Sequence, residues 1–319
     1  MRYGEGDRES EHVEDRRGMG GPFGGRGPFG GGGRGLRIPM GRGGGLSFGT
    51  LIFIGIICLL LGINPLTLLT GGGGIEIPNM PAPERRVGQP SIDGLPGGRG
   101  IERRKDEMST FVRRVLADTE DVWEGFFKKG GLTYRKPTLV IFEHATQTAC
   151  GVGQTAMGPF YCPLDQKVYI DLEFYDQMKQ KFGAPGDFAQ AYVIAHEVGH
   201  HVQTLLGIAE NVQRRKQGAG QQEANVIQVK MELQADCFAG VWASVNDQMR
   251  NRLQPGDIEE GLNAAAAIGD DALQRKAGQR VSPETFTHGT SRQRMIWFKR
   301  GMDTGNPQAC DTFTARDLG

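Results

Sequence analysis

The chain has 319 residues, with 37 Lys+Arg balanced by 37 Asp+Glu, 50 Gly and five Cys. A formal net charge of zero gives no electrostatic case for a polyanionic partner, so nucleic acid is not expected to bind. The length admits one large domain or two small ones.

In chain order, residues 1–45 read as a disordered Gly/Arg-rich tail. Between Gly18 and Gly45, 15 of 28 residues are Gly, which leaves almost no apolar side chain to bury. Residues 46–69 read as a transmembrane signal anchor. They lie in an uncharged run of 33 residues and open with "LSFGTLIFIGIICLLLGI"; roughly 20 apolar residues cross about 30 Å of hydrocarbon. A cleaved signal peptide would have a shorter apolar core and an Ala-x-Ala site. Arg26, Arg34, Arg37 and Arg42 precede the span, while Glu76 and Glu84 follow it. Positive charge at one flank holds that flank in the cytoplasm. The expected topology is therefore single-pass, with a cytoplasmic tail and an extracytoplasmic C-terminal domain. Residues 70–105, rich in Gly, Pro and charge, read as a linker.

Periodicity begins with Met108, Phe111, Val112, Val115, Leu116, Val122, Trp123, Phe126 and Phe127, which predict an amphipathic helix over roughly 106–129. "PTLVIFE", 137–143, and "QKVYIDLEF", 166–174, predict strands, the second either internal or an edge that could align a peptide. Helices are expected at about 172–182, 188–206, 221–248, 257–276 and 282–302, the last opened by Ser282-Pro283-Glu284. The class is α+β, a mostly helical domain at 106–319 with a small sheet. Cys58 falls in the apolar run. Cys150, Cys162, Cys237 and Cys310 fall in the exported portion, an even number that allows two disulfides. Proximity favours Cys150–Cys162, leaving Cys237–Cys310.

"AYVIAHEVGHHVQTLLG", 191–207, holds a His-Glu-x-x-His core. On a helix, residues i and i+4 share a face, so His196 and His200 converge on one point with Glu197 beside it. Neutral imidazoles suit zinc, and three protein ligands leave a fourth position for water. The flanking residues are apolar, and burying the pair without partners would cost several kcal/mol. The positions that would supply a third His in a metzincin hold Gln203 and Leu206. A Glu from a later helix is the other solution. "QVKMELQADCFAGVWA" offers Glu232, with Asp236 one turn on to orient a ligand histidine. Glu210 and Glu223 are rivals, set in polar sequence. His201 points about 100° away from His200, which suits a supporting or surface residue rather than a ligand.

"HEVGHH", "ELQADCFAGVWA", "HGTSRQRMIWF", the upstream "GPFYCP" and the single N-terminal apolar run together resemble the bacterial neutral zinc metallopeptidases of YpfJ type. The resemblance spans nearly the whole chain. It implies a zincin-like fold and a gluzincin-like site in which His196, His200 and Glu232 hold one Zn2+ per chain, with Glu197 as general base to a zinc-activated water. It also makes His288 a candidate donor to the oxyanion, or else a structural histidine, and leaves Arg294 to an ion pair. Tyr161 and Tyr169 are weaker oxyanion candidates. The reading that follows is a peptidase of peptide or protein substrates, anchored in the bacterial inner membrane. The alternative is a non-catalytic zinc-containing scaffold of the envelope.

Overall fold

A computed structural model describes residues 1–18, 96–182 and 186–319. The apolar run at 46–69, the tail beyond Gly18 and the linker as far as residue 95 lie outside the described residues. Among the described residues no helix is long and apolar enough to cross a membrane.

Helix α1, Pro96–Lys129, extends the expected helix towards its N-terminus. Its predicted stripe is the buried one: Val112, Val115, Leu116, Val122, Trp123 and Phe127 are all in the core. The helix stops where Gly131 takes φ +69° and the Leu132 amide donates back to the Phe127 carbonyl, a closure that favours glycine. The sheet has the order β1–β2–β6–β5. Strands β1 (Val13–Asp15), β2 (Thr138–Phe142) and β6 (Lys167–Asp171) run parallel, and β5 (Phe160–Cys162) closes the edge antiparallel to β6. Alternation along β2 and β6 serves two cores. Leu139, Ile141, Val168 and Ile170 face the helices, while Val140, Phe142 and Tyr169 pack with Cys162 and Phe160. A hairpin, β3 (Ala145–Thr148) with β4 (Gly151–Gln154), stands apart as a second sheet. "QKVYIDLEF" is thus internal, and the edges are β1 and β5.

A short helix α2 (Glu173–Gln177) runs into a π-turn over Met178–Phe182, where one helix was expected. Then come α3 (Asp187–Leu205), α4 (Ile208–Gln217) and α5 (Gln221–Arg250). The expected helix over 257–276 breaks at Ile268–Gly269 into α6 (Asp257–Ala267) and α7 (Asp270–Lys276). The last helix, α8, starts at Ser291 and ends at Thr304, nine residues later than Ser282 suggested. The cause is Asp270, whose Oδ2 accepts from the amides of Thr287, His288 and Gly289. Those amides are committed to a carboxylate, so the chain stays a loop until Thr290 caps α8 in a reciprocal pair with Gln293. Helices α5 and α8 touch backbone to backbone. A Cβ at Gly240 would collide with the Phe298 carbonyl, and one at Gly301 with that of Cys237.

Residues 1–18, expected as part of a structureless tail across a membrane from the domain, are built into it. Val13, Glu14 and Asp15 pair with Leu139, Val140 and Ile141. Arg8 donates to Glu120, Asp121 and the Ala117 carbonyl, the Tyr3 hydroxyl donates to Asp118, and Lys167 reaches Glu14. Backbone pairing does not operate across a bilayer, so residues 1–18 and the domain share one compartment. The sequence signal was masked because "HVEDRR" carries charge at alternate and adjacent positions, and only tertiary partners make it a strand. In a Cys58→Ser background, single cysteines at Glu11 and at Arg280 should react alike with a membrane-impermeant maleimide in intact cells. Opposite labelling would contradict the shared compartment.

Candidate metal centre

The helix that carries His-Glu-x-x-His is buried almost throughout: Phe188, Ala191, Tyr192, Ile194, Ala195, Val198 and Val202 are all inaccessible or nearly so. It crosses α5 at Gly199, where a Cβ would stand 3.1 Å from the Ala235 carbonyl oxygen and 3.2 Å from its Cα. Glycine at this position lets the two backbones approach. Glu232, one turn before Asp236 on α5, thereby reaches both imidazoles: its Oε2 lies 3.3 Å from His196 Nε2 and 3.4 Å from His200 Nε2. One ligand atom from each of the three residues falls within 4.8 Å of the others.

These separations match a metal site. Two ligand atoms each about 2.0–2.1 Å from zinc at a tetrahedral angle lie about 3.3–3.4 Å apart. The charge balance agrees: three buried carboxylates, Glu197, Glu232 and Asp236, face one guanidinium, Arg294. With neutral imidazoles, and all three acids ionised, that leaves two negative charges, which a divalent cation cancels. The imidazoles register the same field. Burial works to lower the His196 pKa, yet Asp236 and Glu232 carry it up to about 10. Glu210 and Glu223, the rival ligands, do not join the cluster.

Behind the three lies a layer of polar supports. Asp236 is fully buried and collects four hydrogen bonds from side chains: His196 Nδ1 at 2.8 Å, Tyr192 Oη at 2.5 Å, and Arg294 Nε and Nη2 at 2.8 and 2.9 Å. Burial alone would raise its pKa, but Arg294 and His196 hold it down at about 2. Arg294 also donates to the Ile268 carbonyl, so its ion pair is structural, as expected. The second oxygen of Glu232 accepts from Gln228 Nε2 at 2.8 Å. Burial opposes ionisation of Glu232, while His200 and His196 keep its pKa well below the usual carboxylate range. Glu197 is the exception. It is buried, no hydrogen bond from another described residue holds its carboxylate, and burial pushes its pKa up.

His288 is held from behind: Asp270 Oδ1 lies 3.1 Å from its Nδ1, and its own amide donates to Asp270 Oδ2. Burial lowers its pKa, but Asp270 more than compensates and Glu232 adds to the rise, so the ring lies within the field of the site. His201 is buried and outside the cluster. Its Nε2 donates to the Arg135 carbonyl at 2.6 Å and its Nδ1 accepts from Tyr161 Oη at 3.1 Å; burial takes its pKa down to about 4. This commits the Tyr161 hydroxyl, and Asp165 commits that of Tyr169 at 2.7 Å, so neither points free as an oxyanion donor. The disulfides are Cys150–Cys162 and Cys237–Cys310, as proximity suggested. Gln203, Gln228 and Tyr192 were not anticipated as supports. Helical spacing alone could have flagged them, since each lies three or four residues from His200, Glu232 or His196.

A buried helix pair thus brings two histidines and a glutamate to one point that could hold a metal ion, with a second glutamate alongside. Residues 1–313 match the family described as "Putative neutral zinc metallopeptidase", and the chain belongs to that family. It is 50% identical over 313 residues to the uncharacterized protein YpfJ of Escherichia coli K12, covering 98% of this chain and 99% of that one. It is 37% identical over 271 residues to the uncharacterized proteins Rv2575 of Mycobacterium tuberculosis and Mb2605 of Mycobacterium bovis, covering 82% of this chain and 86% of each relative. No solved structure matches the chain.

Replacing Arg294 by Met strands Asp236 as an uncompensated buried charge. Chemical denaturation should report a loss of about 3–5 kcal/mol, whereas Arg214→Met, in an exposed pair with Glu210, should change stability by less than about 1 kcal/mol.

Proposed function

We propose that the chain is a zinc-dependent peptidase in which His196, His200 and Glu232 hold one Zn2+ and Glu197 is the general base. The observation that carries this reading is the spacing of the three ligand atoms, 3.3 and 3.4 Å about Glu232 Oε2, beside a buried carboxylate that no other described residue binds. Zinc, when bound, polarises the scissile carbonyl and makes water acidic near neutral pH. Glu197 takes the proton from the attacking water and delivers it to the leaving amine. Burial favours its protonated form, which suits a group that has to take up and then release a proton. A merely structural acid at this position would be expected to have partners.

His288 donates from Nε2 to the oxyanion of the tetrahedral intermediate. Asp270 holds Nδ1 and favours the charged ring, the form that carries a proton on Nε2 as well. Strand β5, since "QKVYIDLEF" is internal, offers an edge to an extended substrate. Tyr161 on β5 donates to His201, next to His200 on α3, which ties that edge to the metal helix. A helix pair with these ligands beside a small sheet supports the zincin-like reading. Attachment to a membrane through residues 46–69 remains part of the proposal, amended so that residues 1–18 and the domain lie on one face. The two disulfides favour an oxidising compartment for that face.

The purified chain should bind one zinc per molecule and cleave an unfolded protein such as casein, and a chelator should abolish the cleavage. Glu197→Gln should keep its zinc and lose roughly 10²–10⁴ in kcat; full activity in this variant would refute the assigned base. Glu232→Ala should fail to retain metal by atomic absorption. His288→Ala should keep zinc and lower kcat more than it raises KM.

A further inference from the structure

His196 and His200 are backed differently, and the difference has a definite wiring. Behind His196 stands the Asp236 carboxylate. Behind His200 stands a neutral amide: His200 Nδ1 lies 2.8 Å from Gln203 Oε1. Gln203 is fully buried, and its Nε2 donates to the Met231 carbonyl at 2.8 Å and to Gln234 Oε1 at 3.0 Å. Gln234 Nε2 in turn donates to the Cys310 carbonyl at 3.0 Å.

The polarity of this chain follows from its two backbone ends. A carbonyl oxygen can only accept, so the atom of Gln203 facing Met231 must be its NH2, and its oxygen must face His200. The same logic at Cys310 makes Gln234 present its oxygen to Gln203. An acceptor at 2.8 Å from His200 Nδ1 requires a proton there. In the neutral ring, the form that can bind a metal, the lone pair is then left on Nε2, the atom that faces Glu232. The far end is itself anchored, because Cys310 is bonded to Cys237 on α5, next to Asp236.

We infer that Gln203 and Gln234 are positioning residues: a relay from the Cys310 and Met231 carbonyls fixes His200 with its proton on Nδ1 and its ligand lone pair on Nε2. This rests on the zinc reading above and goes beyond it, since it assigns a role in metal affinity to two glutamines that are neither ligands nor the base. Removing a support of this kind typically weakens metal binding by about 10–100-fold.

The test is zinc affinity of the full chain, measured by competition with a chromophoric chelator, together with nitrogen and proton NMR of the histidine rings. Gln203→Met removes the acceptor at nearly constant volume and should weaken zinc binding by about 10–100-fold. Gln234→Met should weaken it by a smaller factor. Gln203→Glu restores the acceptor to His200, and as the neutral acid one of the two donations that Gln203 makes to Met231 and Gln234, so it should recover part of the affinity lost in Gln203→Met. The parent should show a slowly exchanging, hydrogen-bonded Nδ1 proton on His200, absent in Gln203→Met. Folded Gln203→Met or Gln234→Met that holds zinc as tightly as the parent overturns the relay, as does Gln203→Glu falling as far as Gln203→Met. A parent that takes up no zinc overturns the proposed function instead. The Nδ1 proton, read on zinc-free protein, then still decides the relay.

Discussion

The side chain on which the centre depends is Asp236. A carboxylate without access to water must be neutralised where it lies, and removal of one partner leaves the other as a buried charge. Asp236, on α5, meets this demand with four donor atoms from three side chains on two other helices: Tyr192 and His196 on α3, and Arg294 on α8. Each donor fixes a helix relative to the others. The glycines at 199, 240 and 301 make the fit possible, because their backbones sit where a Cβ would meet a neighbouring main chain. The ligand geometry is a by-product of this junction. Once α3 and α5 are locked at Gly199–Ala235, Glu232 has no choice but to face the two imidazoles.

Constraint is distributed unevenly over the centre, in a way that fits the chemistry proposed for it. His196 and His200 each have their second nitrogen committed, one to a carboxylate and one to an amide, and Glu232 has its second oxygen held by Gln228. Among these groups, only the Glu197 carboxylate has no hydrogen bond from another described residue, although His196, His200 and Arg294 attract its charge. A ligand benefits from being fixed, because misplacement costs affinity; a base has to swing between a water and a leaving group. Backing one histidine with charge and the other with an amide also limits the number of buried charges to what a divalent ion and one guanidinium can balance.

The sheet contributes less to the chemistry than to the boundary conditions. Its central strands β2 and β6 carry alternate residues into two separate cores. One edge is β1, drawn from the first residues of the chain; the other, β5, is tied to the metal helix through Tyr161 and His201. Since β1 precedes the apolar run in sequence and β2 follows the linker, the sheet couples the two ends of that stretch.

Much of the site was legible in the sequence because its signals are local. A four-residue spacing puts His196 and His200 on one helical face, a second such spacing puts Glu232 and Asp236 on another, and short sequence distance predicted the first disulfide. The helical stripe of α1 and the two β-branched strands were legible for the same reason: periodicity is a property of consecutive residues. What failed was non-local. "HVEDRR" becomes a strand only against β2, and the helix expected from Ser282 is delayed by Asp270, which captures three amides a helix would need. Helical spacing places Gln203 within reach of His200, but its orientation and the part played by Gln234 exist only because α3, α5 and the turn at Cys310 meet, and two backbone carbonyls then dictate which way each amide must face. Composition and spacing determined which atoms could bind a metal. The tertiary structure alone decided how those atoms are oriented, because orientation comes from partners that are distant in sequence.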